Sequence, residues 1–107
     1  EAPLYATTTN CADSAGDAAC GAAPAGAFVI DAGDTNTVVS TTAVTANSQI
    51  FVQEDSSLGT RLSVTCNTTQ LDINPVVTAR TAATSFTVTL SAAPITNLRC
   101  YNYWIAN

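Results

Sequence analysis

The placement of four cysteines constrains this chain more than any other feature, because the sequence around them contains no histidine. Cys11 and Cys20 bracket a loop of small residues, CADSAGDAAC, whereas Cys66 closes the stretch RLSVTC and Cys100 opens CYNYWIAN. An even number of cysteines in a small domain reads as a disulfide framework. The spacings are not C-x2-C and there is no His to complete a ligand set, so a zinc site is not expected. Four cysteines allow three pairings. Cys66 and Cys100 sit on alternating segments that point both of them inward, which favours a bridge across the core. Cys11 with Cys20 then closes its own short loop; the rival is a bridge from Cys11 or Cys20 to a second chain, since this loop is expected to be exposed. Disulfides persist outside the reducing cytosol, so the expected location is secreted, extracellular or at the cell surface. The chain starts at Glu1 and has no Met, and removal of a signal peptide is the expected reason.

Charge excludes several function classes. Only 10% of the 107 residues are charged, the net charge is −5, and the cations are Arg61, Arg80 and Arg99. Nucleic-acid binding needs a basic footprint, which is missing. An anionic membrane surface would repel the chain, and no apolar run approaches the ~20 residues of a membrane span. A soluble monomer usually carries about 25–35% charged residues on its surface. This surface must instead be built from Thr, Ser, Asn and Gln, which suits packing against copies of the same chain.

Texture divides the chain in two. Residues 1–26 begin with a strand-like head after Pro3, from Leu4 to Thr9, and continue into a loop broken by Gly16, Gly21, Pro24 and Gly26. This part is expected to be an extended N-terminal arm closed by Cys11–Cys20. Residues 27–107 read as β throughout: AFVID, NTVVSTTAVT, SQIFVQ, RLSVTC, VVTAR, TSFTVTL and CYNYWIA, separated by turn clusters such as Asp31–Asp34 and Glu54–Gly59. About seven short strands at roughly 8–12-residue spacing predict an all-β fold, a single antiparallel β-sandwich of jelly-roll type. The expected core is Ile50, Val52, Leu62, Val64, Phe86, Val88 and Trp104. For the last strand two faces are open: Trp104 with Cys100 inward, or Tyr101, Tyr103 and Ile105 inward.

Chemistry-bearing constellations are thin. General base catalysis usually leans on His, and the many Ser and Thr hydroxyls have none to activate them. Glu54 and Asp72 are the acids to consider as a glycosidase pair, though both fall in turn-like stretches where acids serve solubility. Asp31-x-x-Asp34 and Asp13-x-x-x-Asp17 offer oxygens to a cation but lack the density of a calcium loop, and turn chemistry is the simpler reading. No metal, cofactor or catalytic residue is therefore expected. Tyr101, Tyr103 and Trp104 form the one aromatic cluster, able to stack on sugars or to anchor an interface, with core and edge packing as the plainer reading. Asn67-Thr68-Thr69 is a glycosylation sequon in an expected loop.

Ala43 to Asn107 resembles a known family. Val44-Thr45-Ala46-Asn47-Ser48-Gln49-Ile50-Phe51 is similar to the V-T-x-N-S-x-I segment of small β modules in phage tail-fibre and bacterial surface proteins. Arg80 to Thr87, with Ser85-Phe86-Thr87, matches their next segment, and Tyr103-Trp104-Ile105 matches their closing strand. The resemblance implies a compact β-sandwich with structural or attachment duty. It does not extend to Cys66 and Cys100 or to the Cys11–Cys20 arm, and those modules are appended to longer proteins.

Together these features lead to the expectation of a non-enzymatic subunit of an extracellular, pilus-like filament, whose partners are copies of itself. Pro3, Leu4, Tyr5, Ala6, Thr7, Thr8 and Thr9 would be donated as a strand to the next subunit. The alternative is a phage-fibre or adhesin-type module that binds a surface glycan through its loops and Tyr101, Tyr103 and Trp104.

Overall fold

The computed structural model describes residues 9–14, 16–69 and 73–107. Its strands are β1 (Thr9–Asn10), β2 (Ala12–Ser14), β3 (Asp17–Ala19), β4 (Ala25–Ile30), β5 (Asn36–Ser40), β6 (Gln49–Glu54), β7 (Pro75–Thr81), β8 (Ser85–Leu90) and β9 (Arg99–Ala106). They form a four-stranded sheet in the order β1-β4-β9-β6 and a five-stranded sheet in the order β2-β3-β5-β8-β7. The two sheets pack on one another, so the all-β sandwich is what the chain forms.

The long strands pair antiparallel. β9 lies between β4, from Ala25↔Trp104 to Ile30↔Arg99, and β6, from Gln49↔Ala106 to Glu54↔Tyr101. The two parallel pairings, β1 with β4 and β3 with β5, both occur where residues 9–26 join the sandwich. The described part of the expected arm thus lies on the body of the domain. β2 and β3 form a hairpin at one edge, and Ala18 and Cys20 belong to the core.

The main core uses the alternation of each strand. Phe86, Val88 and Leu90 project inward from β8, Val39 from β5, Phe28 and Ile30 from β4, and Tyr101, Tyr103 and Ile105 from β9. The Phe86 ring meets Tyr103 edge-on at 5.3 Å, and Phe28 stacks on Tyr101 at 5.6 Å. A second, smaller cluster lies on the opposite face of the four-stranded sheet. There Ala27 and Cys100 are covered by Leu58 and Cys66, with Val29, Leu62, Val64 and Leu98 around them.

Three expectations need correction. RLSVTC is not a strand: a 3-10 turn, Ser56–Leu58, runs into a single α-helical turn, α1 (Gly59–Leu62), and the chain then continues as a loop to Cys66. Asp55 caps this turn, its carboxylate accepting from the Ser57 N–H at 2.9 Å and from the Ser57 hydroxyl. The same two bonds, the hydroxyl's first, hold the Asp55 carboxyl below the usual range. Trp104 is not in the core; it is 50% exposed, because Tyr101, Tyr103 and Ile105 take the inward face of β9. Of the other expected core residues, Phe86 and Val88 are fully buried, but Ile50, Val52, Leu62 and Val64 are half-buried.

Candidate functional site

Both disulfides have formed within the chain, Cys11–Cys20 and Cys66–Cys100, and no cysteine is free among the described residues. They place the chain in an oxidising environment. Cys66–Cys100 does not cross the main core. It joins β9 to the loop after α1 on the outer face of the four-stranded sheet.

The junction between arm and body is tightly built. Thr9 lies beside Gly26 and Asn10 beside Ala27, and the Cys11 N–H donates to the Ala27 carbonyl at 2.8 Å. The Asn10 side-chain amide donates to the Arg61 carbonyl at 3.0 Å, and the Arg61 Nε–H donates back to Asn10 Oδ1. Gly26 makes this approach possible: a Cβ there would sit 2.9 Å from the Thr9 carbonyl oxygen and 3.0 Å from Cys11 Sγ and the Tyr103 ring. Thr9, expected as the last donor residue, therefore pairs with its own chain. Pro3, Leu4, Tyr5, Ala6, Thr7 and Thr8 lie outside the described residues.

Hydroxyls and phenols act as structural donors here. Thr41 Oγ1 and Tyr103 Oη both donate to the Ala23 carbonyl, at 2.7 and 2.8 Å, and Thr37 Oγ1 donates to the Gly16 carbonyl at 2.8 Å. These bonds attach Gly16 and Ala23 to the sandwich, beside the burial of Ala18 and Cys20 in its core.

Of the three aromatics considered for surface binding, only Trp104 is exposed. Tyr101 and Tyr103 are in the core, and their phenols are pushed up to about 12, in both cases chiefly by burial. The neighbour of Trp104 is Phe51 of β6, 42% exposed, stacked on it at 4.6 Å. Gln53 and Asn102 follow along the same two strands as the next outward pair. Cross-strand pairing brings these residues together, and Phe51 drew no attention in the sequence because SQIFVQ does not show which strand lies next to it.

At one end of the sandwich Arg99, 1% exposed, pairs with Glu54 and donates from Nη2 to the Thr69 carbonyl at 2.8 Å. Its Nε and the hydroxyl of Tyr101 have no partner among the described residues. A cleft of about 210 Å³ opens beside them, lined by Glu54, Ser56, Asn67, Thr68, Thr69 and Arg99. Asp72, the acid considered as a partner for Glu54, lies outside the described residues. Asn67 of the sequon is buried: its Nδ2 donates to the Ile95 carbonyl at 3.2 Å and its Oδ1 accepts from the Thr69 N–H at 2.9 Å. A glycan on that nitrogen would displace the loop that it holds.

The two acidic motifs meet. Asp31 and Asp34 of the β4–β5 turn lie near Asp13 of β2, and burial, followed by the charge and hydrogen bond of Asp13 and then Asp34, raises the Asp31 carboxyl above its usual range. Asp17 and Asp34 line a cleft of about 350 Å³ with Gly16, Gly33, Thr35 and Asn36. The Asp17 carboxylate is engaged locally, accepting from the Val38 N–H at 3.2 Å. Among the described residues no three acidic or Cys side chains are grouped as a metal ion would require, and no helix is long and apolar enough to cross a membrane.

Compared with known proteins, the chain matches no family model, no curated protein and no solved structure.

Proposed function

We propose that this chain is a secreted structural subunit, not an enzyme, and that copies of it form an extracellular filament by donating the segment before Thr9 to the next subunit. The observation that carries this reading is the arm junction. β1 is only two residues long and pairs at the very start of β4, on the edge of its sheet. The strand-like run Leu4-Tyr5-Ala6-Thr7-Thr8 comes just before it in the sequence. The junction is held by a disulfide, a reciprocal Asn10–Arg61 pair and a glycine that no other residue could replace without displacement. A root this firm suits a segment that works outside its own domain. The sparse charge and Thr-rich surface favour contacts between copies, and the resemblance to fibre modules points the same way.

Negative-stain microscopy of the full chain, beside a variant lacking residues 1–8, tests the proposal. Filaments are expected from the first only, with the variant still folded. Filaments of normal length from the variant would refute strand donation, and no filaments from the full chain would refute the filament itself.

A second reading, attachment to a surface glycan, is favoured by the exposed Phe51–Trp104 stack with its amide neighbours, since sugar rings stack on such faces. Quenching or shift of Trp104 fluorescence across a panel of oligosaccharides, lost in Trp104→Ala, is the expected result.

A further inference from the structure

The four-stranded sheet ends in β1 on one side and β6 on the other; the five-stranded sheet ends in β2 and β7. An edge strand exposes a row of unpaired N–H and C=O groups, which proteins usually blunt by shortness, proline or bulges. β1 and β2 are two and three residues long. β7 starts at Pro75 and has an irregularity between Val77 and Ala79. β6 has none of these devices. It is six residues long, QIFVQE, without proline, glycine or a basic residue.

The register shows which groups β6 leaves open. The Asp55 N–H donates to the Cys100 carbonyl, and the Ile105 N–H faces β4, where it donates to the Pro24 carbonyl. Residues 49, 51 and 53 therefore exchange hydrogen bonds with β9, and Ile50, Val52 and Glu54 direct their backbone groups away from it. No backbone hydrogen bond among the described residues reaches that outer row. The side chains agree. Inward residues of the inner strands are fully buried, including Val39, Phe86 and Tyr101, yet Ile50 and Val52 of β6 and Val77 of β7 are only half-covered. Ile50, Val52 and Val77 pack against the main core yet stay half-covered at the seam where these two edges approach, and the Arg80 guanidinium of β7 donates to the Ser48 carbonyl at 2.6 Å just before β6 begins.

We infer that the outer edge of β6 is the acceptor, and that Pro3–Thr8 of a second copy pairs along it, an assignment that rests on the strand-donation reading above. The lengths match, since Pro3–Thr8 has six residues, as β6 does. With Leu4, Ala6 and Thr8 on the seam side, the added strand covers Ile50, Val52 and Val77. Tyr5 then falls on the outer face beside Phe51 and extends the Phe51–Trp104 stack by a third ring. In this reading the donor belongs to a second copy, and donor root and acceptor edge are well separated in each chain. β6 lies three strand positions from β1, roughly 14 Å at ~4.8 Å per strand. Donor root and acceptor edge lie on opposite sides of one sheet, so the contact is heterologous and propagates.

Amide exchange tests this directly. Full-chain protein labelled with 15N is mixed with excess unlabelled peptide of sequence EAPLYATTT, and exchange is read residue by residue. The expected result is at least tenfold slower exchange at Ile50, Val52 and Glu54, with Phe51 and Gln53 unchanged because β9 already protects them. Protection that appears instead along β7, β2 or the outer side of β4 overturns the acceptor assignment and leaves strand donation standing. No protection anywhere, with filaments still forming, overturns both. Val52→Pro removes an outward N–H that β9 does not use, so it should abolish assembly while the melting transition persists. Assembly undiminished in that variant overturns the assignment, and if it fails to fold, the exchange pattern of the unsubstituted chain decides.

Discussion

Replacing Phe86 with Ala tests the packing of both sheets at once. The ring is fully buried on β8, edge-on to Tyr103 of the facing sheet. An aromatic side chain buries about 150–250 Å², which at ~25 cal/mol per Å² gives an upper figure of roughly 4–6 kcal/mol. Partial collapse of the site reduces this to the usual range for Phe→Ala, about 3–5 kcal/mol. A chain of this length unfolds with an entropy near 0.22 kcal/mol/K, from ~2.1 cal/mol/K per residue. The melting midpoint should therefore fall by about 14–23 °C. Trp104→Ala is the control, because that ring is half-exposed on the other face of β9 and loses mainly its stack on Phe51. An exposed stack contributes about 1 kcal/mol, or about 5 °C. Thermal unfolding followed by circular dichroism, with disulfides intact, reads both. Equal losses for the two variants, or a loss under 5 °C for Phe86→Ala, would show the inward faces of β8 and β9 to be wrongly assigned.

Three further outcomes follow from buried polar groups and one close approach. The phenols of Tyr101 and Tyr103 are raised from 10.0 to about 12, so the folded state holds their protons more tightly than the unfolded chain does. Their contribution, about 3 kcal/mol each, is complete below pH 10 and is lost as pH rises towards 12. Cooperative unfolding in that window, coincident with tyrosinate absorbance, is expected, and Tyr101→Phe should make it shallower. Glu54→Gln leaves the Arg99 guanidinium buried without its carboxylate; since Glu54 is 28% exposed, the loss should be about 2 kcal/mol, measured by chemical denaturation, below the range for a fully buried pair. Gly26→Ala drives a methyl into the Thr9 carbonyl, Cys11 Sγ and the Tyr103 ring, at a cost of about 1–3 kcal/mol. The Cys11 amide, bonded to Ala27, should then exchange faster than those of the β4–β9 ladder, and an unchanged rate would show that β1 tolerates the displacement.

Much of the fold was legible from alternation and turns. TSFTVTL shows β8 with its buried face correct, because that strand has Thr on its other side and no ambiguity of period. The cysteine pairing is as expected, but its reasoning held only for the short Cys11–Cys20 loop; Cys66 lies in a loop and not on an inward strand, and its bridge to Cys100 is outside the main core. What failed did so for local physical reasons. In β9 Cys100 and Tyr101 are both fully buried, on opposite faces, so apolar residues on each side of the sheet erase the period-two signal. RLSVTC has three alternating residues, too few to outweigh the Asp55-capped 3-10 turn, which runs on into α1 and takes up Arg61 and Leu62. β2 and β3 are Ala- and Asp-rich and low in β propensity; β3 is a strand because it pairs with distant β5, Ala18 beside Val39 and Ala19 beside Ser40, and its flanking residues Gly16 and Cys20 bond to the Thr37 hydroxyl and the Ser40 carbonyl. The candidate surface was half legible. Trp104 was visible in the sequence, but its companion Phe51 emerges only from the β6–β9 register.

The central position of β9 has a mechanical consequence. A pull applied at Thr9 and resisted along β6 crosses the sheet from β4 to β9 to β6, and the Cys66–Cys100 bridge ties β9 to β6 covalently only through the slack of residues 55–65. Each of the two junctions is a ladder of six paired residues loaded along its length, so that all its bonds must give way together. Reduction of Cys66–Cys100 would leave both ladders intact and remove only the clamp over one end of β9. Tensile strength in this module is therefore expected to depend on hydrogen-bonded shear and to survive reduction, whereas its thermal stability should fall.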